Sequence, residues 1–255
     1  MITTVVNGLK IEMYDGDISE LPAYRFQRFN KFILLDAGIG SDIQDVDNHI
    51  ERIIGFIQKD PKTALIELEN MRQNLYLVMR NINPKHLAVV TLIKSINGVA
   101  NDDLSDEGVK TTYERINKKI KTGWFGTIYQ AIKKKIDTEL SMYFPQQFDS
   151  VKIKEYYELM RKKILLQCDQ IITGKYQEAE INNVYLNMVT YMKPTVFLGV
   201  DNAEVIHEKA FAEINFLIMN ETGNDAKNMT VLELYSALQV IKKRNKHGRK
   251  SNQNK

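Results

Sequence analysis

Four histidines, one cysteine and two acidic clusters are the side chains of this sequence with types suited to chemistry. The histidines stand at positions 49, 86, 207 and 247. No two share the i,i+4 spacing by which one helix presents a zinc pair, and Cys168 has no second cysteine, so neither a structural zinc site nor an internal disulfide is expected. Cys168 lies in Ile164-Leu165-Leu166-Gln167-Cys168, where a thiol is expected to act as a small buried hydrophobe. His86 follows Asn83-Pro84-Lys85 and reads as a partly exposed residue of a first helical turn. Asp42, Asp45, Asp47 and His49 gather at one helix start. Carboxylates so spaced could meet a hard cation, but acids there also favour the helix dipole and face water, which is the expectation. Asp102, Asp103, Ser105, Asp106 and Glu107 miss the glycine and glutamate of a calcium loop and read as a polar connection.

Phosphate and nucleophile motifs are weaker still. Gly38-Ile39-Gly40-Ser41 could offer backbone N–H groups to an anion. It lacks the G-x-x-x-x-G-K-[ST] pattern and follows a helix, so a helix corner is the simpler reading. No G-x-S-x-G elbow and no dinucleotide fingerprint occurs. The expectation is a protein that is not an enzyme and takes no cofactor and no metal.

Basic residues carry the remaining signal. Lys118, Lys119 and Lys121 precede Trp124, Phe125 and Tyr129, and Lys133, Lys134 and Lys135 follow. Such interleaving could serve phosphate contact and base stacking, or it could be a solvated helix face with its aromatics turned inward; the second is preferred. Residues 242–255 hold seven Lys or Arg and no acid, leaving the rest of the chain at a net charge of −4. Lys242, Lys243, Arg244, Lys246, Arg249 and Lys250 are the candidate contacts of this tail. It is expected to be flexible alone and to order on nucleic acid or an acidic protein surface.

The elements that would position these groups are mostly helices. Thirteen Gly and five Pro in 255 residues are few for an all-β chain. Ser41 with Gln44 starts a helix to about residue 58, with Ile43, Val46, Ile50, Ile53, Ile54 and Ile57 as its buried stripe. Asp60-Pro61 and Asn83-Pro84 each pair a capping side chain with proline at the first helical position. The first opens a helix to about 81 whose buried face is Leu65, Leu68, Met71, Leu75, Val78, Met79 and Ile82. The second opens a helix to Ile96, stopped by Asn97-Gly98. Further helices are expected over 21–35, 105–120, 125–143, 150–173, 177–192 and 205–220, and one from Thr230, boxed with Glu233, through Ile241. The helix over 150–173 should bury Ile153, Tyr156, Tyr157, Met160, Ile164, Leu165, Cys168, Ile171 and Ile172.

One exception stands at the start. Thr3-Thr4-Val5-Val6 and Leu9 to Tyr14 flank Asn7-Gly8, the strongest short hairpin signal, because a type I′ turn needs positive φ at both central residues. Val6, Leu9, Ile11 and Met13 would alternate on one side. An isolated hairpin is marginal in water, so its strands should pack on the helices or on a neighbour. Val5, Val6, Leu9, Ile11 and Met13 are the candidate partner-binding residues of an edge hairpin.

The fold expected is therefore mainly α: a multi-helix bundle with an N-terminal β-hairpin and a basic C-terminal tail. Pro145–Ser150 is the candidate seam, dividing residues 1–147 from a second helical lobe at 148–241 and the tail at 242–255. A hydrophobic content of 44% is enough for a packed core. No apolar run approaches a membrane span, and Met1 to Val6 lack the pattern of an export signal.

Three stretches carry a resemblance: Leu21-Pro22-Ala23-Tyr24-Arg25-Phe26-Gln27-Arg28-Phe29-Asn30 continuing through Leu34 to Asp42, Asn81 to His86, and Thr230-Val231-Leu232-Glu233-Leu234-Tyr235. In them the chain resembles helical virion and assembly proteins of tailed bacteriophages of the crAss-like kind. The resemblance implies a structural component of the neck, tail or packaged contents, made in the host cytoplasm and carried in the virion. Its partners would be other virion proteins and copies of itself. A tail-assembly chaperone and a nucleic-acid-binding protein using the basic tail are the alternatives.

Overall fold

The computed structural model describes residues 1–35, 43–79, 82–120, 122–145, 151–189, 191, 196–197 and 199–252. Four strands and ten helices are found among them. In chain order these are β1 (Ile2–Val6), β2 (Leu9–Met13), α1 (Ala23–Leu34), α2 (Ile43–Lys59), α3 (Pro61–Met79), α4 (Pro84–Thr91), β3 (Ile93–Ile96), β4 (Val99–Ala100), α5 (Asp106–Asn117), α6 (Thr122–Tyr143), α7 (Val151–Thr173), α8 (Glu178–Val189), α9 (Ala203–Thr222) and α10 (Val231–Asn252). The mainly helical architecture with an N-terminal antiparallel hairpin is as the sequence implies. No helix among the described residues is long and apolar enough to cross a membrane.

The chain forms two compact units that are not consecutive. One holds Met1–Asp36, Ile82–Phe144 and Gly199–Lys255; the other holds Ala37–Asn81 and Pro145–Leu198. The expected division into 1–147 and 148–241 therefore needs correction. The expected seam lies beside the crossing at residues 144 and 145, but the helical unit also takes a segment from the first third of the chain. Apolar patterning marks elements, and it carries no information about which distant elements share a core.

The first unit is built on a sheet of order β1-β2-β3-β4, antiparallel throughout. Both of its tight turns are Asn-Gly. Asn7 and Gly8 have φ of 46° and 79°, and Asn97 and Gly98 have 52° and 79°. These are the left-handed conformations of a type I′ turn, which Asn and Gly tolerate best. The helix expected to reach Ile96 stops at Thr91, and residues 93–96 form a strand instead. There Asn97-Gly98 is a hairpin turn and not a helix stop. Asn97 also ties the second hairpin to the first: Lys10 N donates to its Oδ1 at 2.8 Å, and its own N–H donates to the Lys10 carbonyl at 2.7 Å.

Helices cover one face of this sheet. Leu9, Ile11 and Met13 of β2 and Ile93 of β3 are buried with Phe29 of α1, Val89 of α4, Ile116 of α5 and Phe125 and Ile132 of α6 in one continuous core. The segment before α10 closes the unit by strand-like pairing. Ala23 N donates to the Met229 carbonyl at 2.8 Å and Val231 N to the Leu21 carbonyl at 2.9 Å. The capping box at Thr230 and Glu233 forms, with Thr230 N donating to the Glu233 carboxylate at 2.8 Å.

The second unit consists of α2, α3, α7 and α8. Its apolar centre is small: Ile53, Phe56, Ala64 and Val189, with Met71 and Tyr185 packed against them. Gly55 permits the close approach of α2 to α8, since a Cβ there would lie 3.0 Å from the Tyr185 ring.

Candidate interaction surfaces

The hairpin residues divide between core and surface. β2 pairs with β1 on one side and β3 on the other, so it is not an edge. Leu9, Ile11 and Met13 lie in the core and cannot serve as a partner-binding face, which corrects that expectation. A third and fourth strand complete the sheet beside β2, and the helices occupy its apolar side. Val6 is half-buried against the core, and Val5 is 71% exposed. β1 and β4 are the edges of this sheet, and among the described residues β1 has β2 as its one strand neighbour.

At the other end of the chain, the helix that starts at Val231 continues to Asn252. Its backbone thus extends well beyond the expected end at Ile241. Ile241 is buried, while Lys242, Lys243 and Arg244 are exposed, with Arg244 Nη1 3.9 Å from a Glu221 carboxylate oxygen. The side chains of Lys246, Arg249 and Lys250 lie outside the described residues.

Three cations that the sequence reading passed over are buried on α1. Arg25, Arg28 and Lys31 recur every third residue and are each less than 8% exposed. The Arg25 guanidinium donates to the carbonyls of Thr91, Ile93 and Asn101 at 2.7–2.9 Å, satisfying backbone groups where α4 gives way to β3. Arg28 and Lys31 both hold Asp106 at the start of α5, and Lys31 Nζ also donates to Glu208 at 2.9 Å. Burial alone would lower the Lys31 ammonium, but its bonds to Asp106 and Glu208 more than offset this and raise its pKa. Asp102 and Asp106 of the 102–107 loop are therefore held by cations of α1. Asp102 faces Arg25, and Asp103 accepts from Ser105 N. Among the described residues, no group of three or more His, Cys, Asp or Glu is placed to hold a metal ion.

The basic–aromatic string resolves in favour of a solvated helix face. Phe125 and Tyr129 are in the core, and Trp124 packs against it. Lys133 pairs with Asp137 and Lys135 with Asp15. His86 stacks on Phe125 at 5.1 Å, with Nδ1 3.3 Å from the Tyr113 hydroxyl, and burial lowers its pKa. Stacking surface for a base is thus already taken. Gly38-Ile39-Gly40-Ser41, Asp42 and Lys121 lie outside the described residues, as does the side chain of Asp45. Asp47 is exposed.

A cavity of about 520 Å³ opens beside α1 and α9, lined by Tyr24, Arg28, Phe211, Phe216, Met219 and Lys227 among others. Its lining mixes apolar side chains with Gln27, Arg28, Glu208, Asn215 and Lys227. The Lys227 ammonium sits 5.9 Å from the centre of the Tyr24 ring.

The second unit departs furthest from expectation. His49, expected to sit at a solvated helix start, is buried in a polar cluster between α2 and α3. Arg52 Nη2 lies 2.7 Å from Glu67 Oε1 and 3.1 Å from His49 Nδ1. His49 Nε2 faces the other Glu67 oxygen at 3.6 Å, too far for a hydrogen bond. Burial, reinforced by Arg52, lowers the His49 pKa to about 4, and burial raises that of Glu67. A histidine beside a carboxylate is a combination used in acid–base catalysis. Here both groups are almost sealed from solvent, and their geometry fixes the register of two helices.

Around this cluster the helices are turned inside out. α3 buries Ala64, Glu67, Asn70 and Asn74, while Leu65 (64% exposed), Leu68, Leu75 and Met79 face outward. On α2, Ile53 is buried, but Ile50, Ile54 and Ile57 are exposed. On α7, Tyr157, Ile164, Leu165, Ile171 and Ile172 are exposed, and so is Cys168. These stripes have helical period, which is why the sequence reading assigned them to a core. Within one chain, they are surface. No known protein-family model matches this chain, and no curated protein or solved structure matches it either.

Proposed function

We propose that the protein is a non-enzymatic structural component of a tailed-phage particle, a ring, connector or packaged subunit completed by contact with other chains. The observation that supports this reading is the inside-out helical unit. Soluble monomers rarely leave contiguous apolar patches larger than a few hundred Å² in water. Here three helices present apolar stripes outward while a histidine, a glutamate and two asparagines share the interior with a small apolar centre. Obligate interfaces resemble a domain core cut in half, and these faces have that composition. The open edge of β1 offers a second mode of attachment, by strand addition. The partners are other virion proteins and further copies of this chain.

Mass spectrometry of purified particles tests the proposal, and the chain should be present in fixed ratio to a known ring or capsid protein. A chain missing from particles but recovered with a tail protein from infected cells would make it a tail-assembly chaperone instead. A nucleic-acid contact is favoured by the exposed Lys242, Lys243 and Arg244 at the end of α10. That contact requires affinity for DNA or RNA that falls steeply with salt and drops when residues 242–255 are removed. Affinity unchanged by the deletion would exclude the basic end as the binding element.

A further inference from the structure

Helix α7 has two apolar faces, and only one has a partner among the described residues. Tyr156, Leu159, Met160, Lys163, Leu166 and Gln170 are partly buried on one side. Lys163 there lies over the Tyr185 ring of α8 at 4.8 Å. At 100° per residue, Ile164, Leu165, Cys168, Ile171 and Ile172 fall within a sector of about 120° on the opposite side. All five are exposed, Ile171 and Ile172 by 83% and 82%.

The outward patch is symmetric about its own centre. Cys168 lies four residues after Ile164 and four before Ile172, three after Leu165 and three before Ile171. It also lies on the midline of the sector, flanked by Ile164 and Ile171 on one side and Leu165 and Ile172 on the other. A surface that reads the same in both directions along a helix is complementary to itself under a two-fold axis perpendicular to that helix. Tyr157, 61% exposed, falls in the same sector and extends the face to six exposed side chains, a surface on the order of the 800 Å² per partner that a standard stable interface takes.

We infer that α7 is a homotypic interface, pairing antiparallel with α7 of a second copy across a two-fold axis beside Cys168. The axis sets Ile164 against Ile171 of the partner subunit and Leu165 against Ile172 of the partner subunit. The two Cys168 thiols then face each other at the centre of the contact. This inference names one partner for the assembly reading and does not depend on the particle in which the chain acts.

The experiment uses the full chain, whose sole cysteine is the probe. Light scattering coupled to size exclusion should give a dimer, and the double variant Ile171→Asp/Ile172→Asp should give a monomer with an unchanged far-UV circular dichroism spectrum. A short bis-maleimide should link wild-type chains through Cys168 at least tenfold more than it links the variant. A mono-maleimide should label the monomeric variant at least as fast as the wild type, whose thiols the contact covers. A monomeric wild type, a variant that remains dimeric, or cross-linking equal in the two would overturn the assignment. Absence of the protein from particles would leave these readings untouched and bears only on the proposed function.

Discussion

His49 couples the second unit to pH. Its folded pKa of about 4 lies below the ordinary value of 6.5, so the unfolded chain takes up the proton first as pH falls. The stability that rests on neutral His49 is full above pH 6.5 and is lost on descent towards pH 4. At about 1.36 kcal/mol per pKa unit its ceiling is roughly 3 kcal/mol. Glu67 works in the opposite sense. Burial raises its pKa, so the folded state gains a proton early and offsets part of the loss at the acid end. Urea titrations between pH 7 and 4 should show this slope in the wild type. The variant His49→Gln should flatten it, and a slope unchanged by the substitution would refute the coupling.

Exposed apolar stripes give the elements an unusual mutational signature. Leu65 and Leu68 face solvent from α3, so Leu65→Lys with Leu68→Lys should change the unfolding free energy of the isolated chain by about 0.5 kcal/mol or less. Had the stripe been core, each substitution would cost several kcal/mol. Denaturant titration separates the two outcomes. The turns respond to a different term. Gly98 has φ of 79° and open space around its missing Cβ, so Gly98→Val should cost about 1–2 kcal/mol through the backbone alone. These cases also show what the sequence could convey. Caps and prolines marked the starts of α3, α4 and α10, because each acts through residues two or three positions away. The second Asn-Gly was ambiguous, because the apolar residues 87–96 suit a buried helix as well as a short helix and a strand. Arg25, Arg28 and Lys31 escaped notice because their carbonyl and carboxylate partners lie some 60–180 residues away in the chain. The α3 and α7 stripes were found by their period, but period reveals that a face is apolar and not which chain covers it.

Each unit should answer separately to perturbation. Glu67→Gln leaves Arg52 facing a neutral amide in the second unit and should cost about 2–4 kcal/mol there. Hydrogen exchange should then show faster amides in α2 and α3, with those of β2 and β3 unchanged. Uniform acceleration across both would mean that the two compact units unfold as one. The pairing of Leu21 and Ala23 with Val231 and Met229 has a further consequence, for synthesis. These partners are joined more than two hundred residues apart, and the helical unit is assembled from segments lying between them. On the ribosome, α2, α3, α7 and α8 can emerge and meet before residue 230 has been translated. The sheet-bearing unit must wait, holding Leu21 and Pro22 unpaired until the segment that seals them arrives. The last unit to close is therefore the one that begins first, and an apolar helical body can be available to its partners while the rest of the chain is still being made.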